Sequence, residues 1–358
     1  MKVAIRTDAS LNIGSGHLMR CLCLANALRS SGAEVQFLCR ELPEHLQRLV
    51  SDQGHALVSL TTGSEPAVRK SAPAEQAWSR SDQIQDADAS LAGLVGAPYD
   101  WLVLDHYGLD SIWESRTGQS AAMRLMVIDD LARDHDCDVL VDQNYYPDAA
   151  SRYRDRVPKH CQQLLGPRYA LLRPEFQVAR QHVMPREGEV RRVLIFMGGM
   201  DANNMTDHVL NAVAMLERID LTVNVVIGQT HPAREAIHSR CQSMPNTHCH
   251  VQTARMADLL AETDLAIGAG GSATWERCAL GVPTLTLCLA PNQRDIVFNC
   301  ARRGLVYAPD MANNATALAI HLKAILENSG LRYFLSCAGL KMVDALGAKR
   351  ITDQLLVP

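Results

Sequence analysis

Near the start of the chain two glycines are followed by a histidine. In "NIGSGHLMRCLCLANAL" (residues 12–28), Gly14 and Gly16 precede His17, and an apolar run with helical spacing follows at once. Glycines let a main chain turn tightly and approach a bound molecule. An imidazole titrates near neutrality, which suits proton transfer to or from a reacting group. The loop has the look of a dinucleotide-binding fingerprint, but Met19 stands where the third glycine should permit close helix–strand packing. The run "EVQFLC" is also followed by Arg40, not by the acidic residue such a site needs. Both features argue against a nicotinamide dehydrogenase. Polar side chains at a strand-to-helix turn face ligand more often than core, so His17 reads as functional rather than as a capping or packing residue.

A second set lies in "GAGGSATWERCALGVP" (268–283). Gly270 and Gly271 free the backbone, Ser272 and Thr274 offer hydroxyls, and a helix is expected to begin near Ala273. A helix N-terminus presents unpaired amides and a positive dipole end, which together bind phosphate. Glu276 falls in the first turn, where it can accept from a ribose diol or merely complement the dipole; the spacing leaves both open. "MGGMDANN" (197–204) places Gly198 and Gly199 after a strand. They can make a tight turn, with Asp201 or Asn203 as the following helix cap, and still let a ligand approach. "APNQRD" (290–295) stands at the end of a further strand.

Two clusters invite a metal reading: "DHDCD" (134–138) and "HCH" (248–250). Neither has structural zinc spacing. In a strand His248 and His250 would share a face and Cys249 would point away. No metal and no cofactor is expected.

These residues need strands to hold them. Short apolar runs alternate with amphipathic segments, the pattern of βαβ units with a parallel sheet. Strands are expected at 2–6, 34–39, 56–60, 101–104, 124–128 and 138–141, and again at 193–197, 221–227, 264–267 and 284–287. The joint between the two halves falls within 166–188, and a polar stretch at 61–96 reads as a surface insertion or helical excursion. The chain has 358 residues, 47% hydrophobic and 21% charged, with a net charge of −4, which fits two globular α/β domains and gives no basic footprint for nucleic acid. No apolar run approaches the roughly eighteen residues of a membrane span. The odd number of cysteines, 11, and their placement in apolar runs fit reduced thiols in a cytoplasm rather than a disulfide framework.

Taken together, "IRTDASLNIGSGHLMRC", "LDHYGLD", "VIDDLARDHDCDVLVDQN", "GPRYALLRPEF", "FMGGMDANN" and "GAGGSATWERCALGVPTL" resemble the UDP-2,4-diacetamido-2,4,6-trideoxy-β-L-altropyranose hydrolases of pseudaminic acid biosynthesis. The second-half motifs are shared more widely with nucleotide-sugar glycosyltransferases. The resemblance implies the glycosyltransferase-B architecture, two Rossmann-like α/β domains facing each other across a cleft, with domains at 1–170 and 171–358. It implies UDP on the second domain, with Ser272 and nearby backbone amides at the pyrophosphate and Glu276 at the ribose; Gly198, Gly199, Gly270, Gly271 and Thr274 complete the expected substrate-binding set there. Asn292 and Gln293 match the family's "NQ" and would contact nucleotide or sugar. The sugar would lie toward Gly14, Gly16, His17 and Tyr107. The implied reaction is metal-independent hydrolysis with inversion, water replacing an acceptor and His17 as general base. An inverting UDP-sugar glycosyltransferase is the alternative, and a non-catalytic binding protein the weaker third, because it has no need of a base at His17.

Overall fold

In the computed structural model the residues described are 1–10, 13–60, 76–94, 96, 98–118, 123–310 and 314–357. The chain divides into two compact units, Met1–Leu171 together with Leu346–Pro358, and Leu172–Ala345. The first carries a seven-stranded parallel sheet of order β3-β2-β1-β4-β5-β6-β7. Its strands are β1 (Lys2–Thr7), β2 (Glu34–Cys39), β3 (Ala56–Ser59), β4 (Trp101–Asp105), β5 (Arg124–Ile128), β6 (Val139–Asp142) and β7 (Gln162–Leu165). The second carries a five-stranded parallel sheet of order β10-β9-β8-β11-β12. These strands are β8 (Arg192–Phe196), β9 (Thr222–Ile227), β10 (Thr247–Val251), β11 (Leu265–Ala269) and β12 (Thr284–Leu287). Both units are Rossmann-like.

The central strands β4 and β11 are buried at every position. A parallel sheet covered by helices on both faces demands such unbroken apolar runs, which is why they stand out in the sequence. The two strands that patterning missed, β7 ("QQLL") and β10 ("THCHV"), are edge strands with partly exposed residues. An edge strand covered on fewer sides keeps polar residues and loses the signal.

The segment Leu346–Pro358 corrects the expected partition, in which the C-terminal helices all belonged to the second domain. The last helix, Gly347–Leu356, is part of the first unit. Ile351 and Leu355 are buried in the core built by Leu18, Leu22, Phe37 and Trp101, worth about 1.5–3 kcal/mol for each side chain. The Trp101 indole donates to the Leu355 carbonyl at 3.0 Å. A Cβ on Gly347 would lie 2.2 Å from the Ala170 carbonyl oxygen, so only glycine admits this approach. The polar stretch at 61–96 lies in part outside the described residues; its later portion forms the helix Arg80–Ala92, capped by the Ser79 hydroxyl. Among the described residues no helix is long and apolar enough to cross a membrane.

Strand order reverses direction between β1 and β4 in the first sheet and between β8 and β11 in the second. Loops leaving the carboxyl ends of such neighbouring strands diverge to opposite faces and open a crevice. His17 and Tyr107 follow β1 and β4. Gly198 and Gly199 follow β8, and Gly270 to Glu276 follow β11.

Candidate functional site

In the first unit the turn after β1 is set by Gly14. Its φ is +77° and its amide donates to the Ser10 carbonyl at 2.8 Å, a left-handed conformation that side chains with a Cβ adopt only under strain. Gly16 starts the helix Gly16–Ser30 and has open space where a Cβ would go. His17, in the first turn, is 5% exposed. Its ring stands edge-on to Tyr107, centroids 4.4 Å apart at 85°. Its Nε2 lies 4.0 Å from Asp105 Oδ1, and its buried Nδ1 has no hydrogen-bond partner. A buried polar atom left unpaired in a native site calls for an explanation. If the Nε2 edge carries the proton toward Asp105, Nδ1 is the lone-pair nitrogen. Burial, aided by the Arg20 charge and opposed by Asp105, holds the His17 imidazolium down to a pKa of about 4, so the ring is neutral near pH 7.

One helical turn on, Arg20 grips Asp105 with two hydrogen bonds of 2.6 Å, from Nε to Oδ2 and from Nη2 to Oδ1. Its Nη1 donates to Asp130 Oδ2 at 3.3 Å. The Cys21 thiol donates to Asp105 Oδ2. Against the cost of burial, the Arg20 guanidinium keeps Asp105 below the usual carboxylate range. Burial and the neighbouring Asp130 push the Tyr107 phenol up. Sequence reasoning passed over Arg20, Asp105 and Asp130. A signal was available: "WLVL" is an apolar strand that ends on an acid, and an acid at the buried end of a strand needs a partner.

A second buried network flanks this one. Arg6 donates to both oxygens of Asp8 and to both oxygens of Asp86 at 2.6–3.0 Å. His106 Nδ1 accepts the Gly108 amide, and its Nε2 is 3.2 Å from Asp8. These groups fasten the carboxyl ends of β1 and β4 to the helix Arg80–Ala92.

The "DHDCD" run disperses. Asp134 pairs with Arg156 and the Ser115 hydroxyl donates to Asp136. His135 lies between Glu114 at 2.7 Å and Asp129 at 3.4 Å. Cys137 faces Cys161, and Asp138 accepts the Leu125 amide. His250 bonds Asn224 at 2.9 Å. Among the described residues no group of three or more such side chains is placed to hold a metal ion.

In the second unit Gly198 has φ +97°, and the Gly199 carbonyl comes so close to Gly228 that a Cβ there would lie 2.1 Å away. Gly228, at the end of β9, is therefore glycine to admit this backbone approach. Asp201 is the helix cap: its carboxylate accepts the Met205 and Thr206 amides at 2.8 Å each, and His231 Nε2 stands 3.3 Å from it. Asp201 is thereby occupied within the fold.

After β11 the helix Ala273–Ala279 begins where expected. Two members of the expected set take other roles. A Cβ on Gly270 would lie 2.1 Å from Val297 Cγ2, so packing by itself already calls for glycine here. Thr274 is 2% exposed, and its hydroxyl accepts from Arg277 at 3.1 Å; it is part of the interior. Gly271 has open space around its Cα, and Ser272 is exposed. The amides of Gly271, Ser272 and Ala273 find no backbone acceptor among the described residues. Glu276 is partly buried, which raises its carboxyl pKa against the nearby Arg173 and Arg277. It makes no hydrogen bond within the described chain, so the dipole reading and the ligand reading both leave its oxygens free. Gln293 Oε1 accepts the Leu289 amide at 2.9 Å, and the buried Asn292 Oδ1 is unpartnered.

The two sheets with their switch points define the glycosyltransferase-B class of fold, and solved structures bear this out. MurG of Acinetobacter baumannii superposes with a TM-score of 0.66 at 15% identity, covering 99% of each chain. The UDP-GlcNAc 2-epimerase of Neisseria meningitidis superposes at 0.65 and 11%, covering all of both. Among curated proteins the chain is similar to the UDP-2,4-diacetamido-2,4,6-trideoxy-β-L-altropyranose hydrolase of Campylobacter jejuni, at 23% identity over 85% of this chain and 97% of that one. It is also similar to the spore coat polysaccharide biosynthesis protein SpsG of Bacillus subtilis, at 25% identity over 98% and 97%. No family model matches the chain.

Proposed function

We propose that this protein processes a nucleotide sugar and, specifically, hydrolyses UDP-2,4-diacetamido-2,4,6-trideoxy-β-L-altropyranose to UDP and the free sugar. The observation that carries the chemistry is the neutral, buried His17 with its unpartnered Nδ1, at the first sheet's switch point. The similarity to the Campylobacter hydrolase supports the substrate. The free amides of Gly271, Ser272 and Ala273 support a diphosphate in the second unit, and the unengaged Glu276 carboxylate supports a ribose beside it.

In this reading a water oxygen attacks the anomeric carbon on the face opposite UDP. The water proton passes to His17 Nδ1, the bond from the anomeric carbon to the UDP oxygen breaks, and its electron pair leaves with UDP. The configuration inverts. Fixed amide dipoles stabilise the departing diphosphate without reorganising. Asp105, 4.0 Å from Nε2, favours the imidazolium as it forms, while Arg20 holds that carboxylate in place.

The test is to incubate the protein with the UDP-sugar in EDTA, without acceptor, and follow UDP and the anomeric proton by NMR. Release of UDP with the inverted free sugar is the expected result. UDP release only when an acceptor sugar is added would replace hydrolysis by the glycosyltransferase reading. Loss of turnover in EDTA, restored by magnesium or manganese, would overturn metal independence.

A further inference from the structure

The Arg20 network carries one acid more than it needs. Arg20 is already matched by Asp105, which takes two of its hydrogen bonds at 2.6 Å. Asp130 adds a second carboxylate through Oδ2 only, at 3.3 Å from Nη1. Of the other cations nearby, Arg133 bonds Asp129 at 2.9 Å, and Arg152 lies 3.6 Å from Asp142 and donates to the Asp130 carbonyl, with its own Nε unpartnered. The Asp130 side chain is 13% exposed, and its Oδ1 is a buried atom with no hydrogen bond. A largely buried carboxylate oxygen without a donor is costly to keep. A structural role for Asp130 would be complete with both oxygens paired, and here one is left over.

The position of that oxygen matters. Asp130 directly follows the loop start at Asp129 after β5, and both Tyr107 and His17 feel its charge. The Tyr107 hydroxyl stands beside this carboxylate, yet among the described residues Oδ1 accepts no hydrogen bond, which leaves it open to a donor on something bound. A sugar of the proposed substrate class carries neutral donors, hydroxyls and acetamido N–H groups, and a buried acceptor discriminates strongly against analogues that lack the matching donor. We propose that Asp130 Oδ1 accepts a hydrogen bond from a hydroxyl or amide N–H of the sugar held beside His17, and so is a specificity-determining residue of the site. This rests on the nucleotide-sugar reading above but not on hydrolysis as such.

The experiment measures binding in a His17→Leu background, so that the UDP-sugar stays intact during titration. UDP and the diacetamido UDP-sugar are titrated by calorimetry with Asp130 intact, with Asp130→Ala and with Asp130→Asn. The expected result is that the UDP-sugar binds at least about tenfold tighter than UDP when Asp130 is intact. That gain is lost in Asp130→Ala, largely kept in Asp130→Asn, which retains an acceptor oxygen, and UDP affinity is the same in all three. A circular-dichroism spectrum and melting transition matching the Asp130-intact protein show that the first unit, which holds Asp130, is folded in each variant. A sugar gain that survives in Asp130→Ala, or that is absent with Asp130 intact, overturns the inference, as does Asp130→Asn behaving like the alanine variant. Failure of wild-type protein to release UDP from the sugar overturns hydrolysis and leaves these binding arms to decide Asp130 separately.

Discussion

Arg20 holds both oxygens of Asp105 at 2.6 Å, one helical turn from His17. The pair fixes a full negative charge 4.0 Å from the imidazole while the guanidinium offsets it. His17 thus stands beside a carboxylate, and burial, aided by the Arg20 charge, keeps it neutral.

Breaking this pair on one side leaves Asp105 without its cation, or Arg20 with only the longer contact to Asp130 at 3.3 Å. Asp105→Asn or Arg20→Ala should cost about 3–5 kcal/mol in unfolding free energy. Urea denaturation checks it; a loss under about 1 kcal/mol would mean that the partner is rescued by water or by Asp130.

His17→Asn should bind UDP as wild type does and lose about 10²–10⁴-fold in turnover. Turnover within about tenfold of wild type, with UDP binding retained, would return His17 to packing.

The acid limb of kcat/KM reports the free enzyme. With the His17 pKa lowered to about 4 by burial, the base stays deprotonated as pH falls from 7 to about 5, and the profile should be flat there on its account. Stability has the opposite trend. The unfolded chain binds this proton below about pH 6.5 and the folded one only below about 4, so His17 makes stability fall as pH drops through that window. In His17→Leu the drop in melting temperature between pH 6.5 and 4 should be smaller. An equal or larger drop would contradict the lowered pKa.

Glu276→Ala should weaken UDP binding by about 1–3 kcal/mol, the worth of hydrogen bonds to a charged group. Its melting temperature should stay near wild type, because the carboxylate bonds nothing within the described chain. Unchanged UDP affinity in calorimetry would remove the ribose assignment.

Two adjacent glycines should separate fold from ligand. Gly270→Ala drives a Cβ to 2.1 Å from Val297 Cγ2 and should destabilise the protein by about 1–3 kcal/mol, as overpacking does. Gly271→Ala meets no atom within 4 Å and should leave stability intact while lowering UDP affinity. The reverse pattern of melting temperatures would show that this turn is misassigned.

Much of this was legible along the chain because it is written in local pattern. Buried parallel strands such as β4 and β11 need unbroken apolar runs, so they announce themselves, and the glycines with His17 mark the turn that follows β1. Edge strands β7 and β10 did not, since exposure lets their residues be polar. What lay beyond reach were meetings between distant positions. That Gly270 is small because of Val297 and that Arg20 finds Asp105 both depend on which side chain arrives from another element. The last helix is amphipathic in any reading. Only the packing of Ile351 and Leu355 beside Trp101 assigns it to the first unit, because an apolar stripe states that it must be covered and does not name its cover.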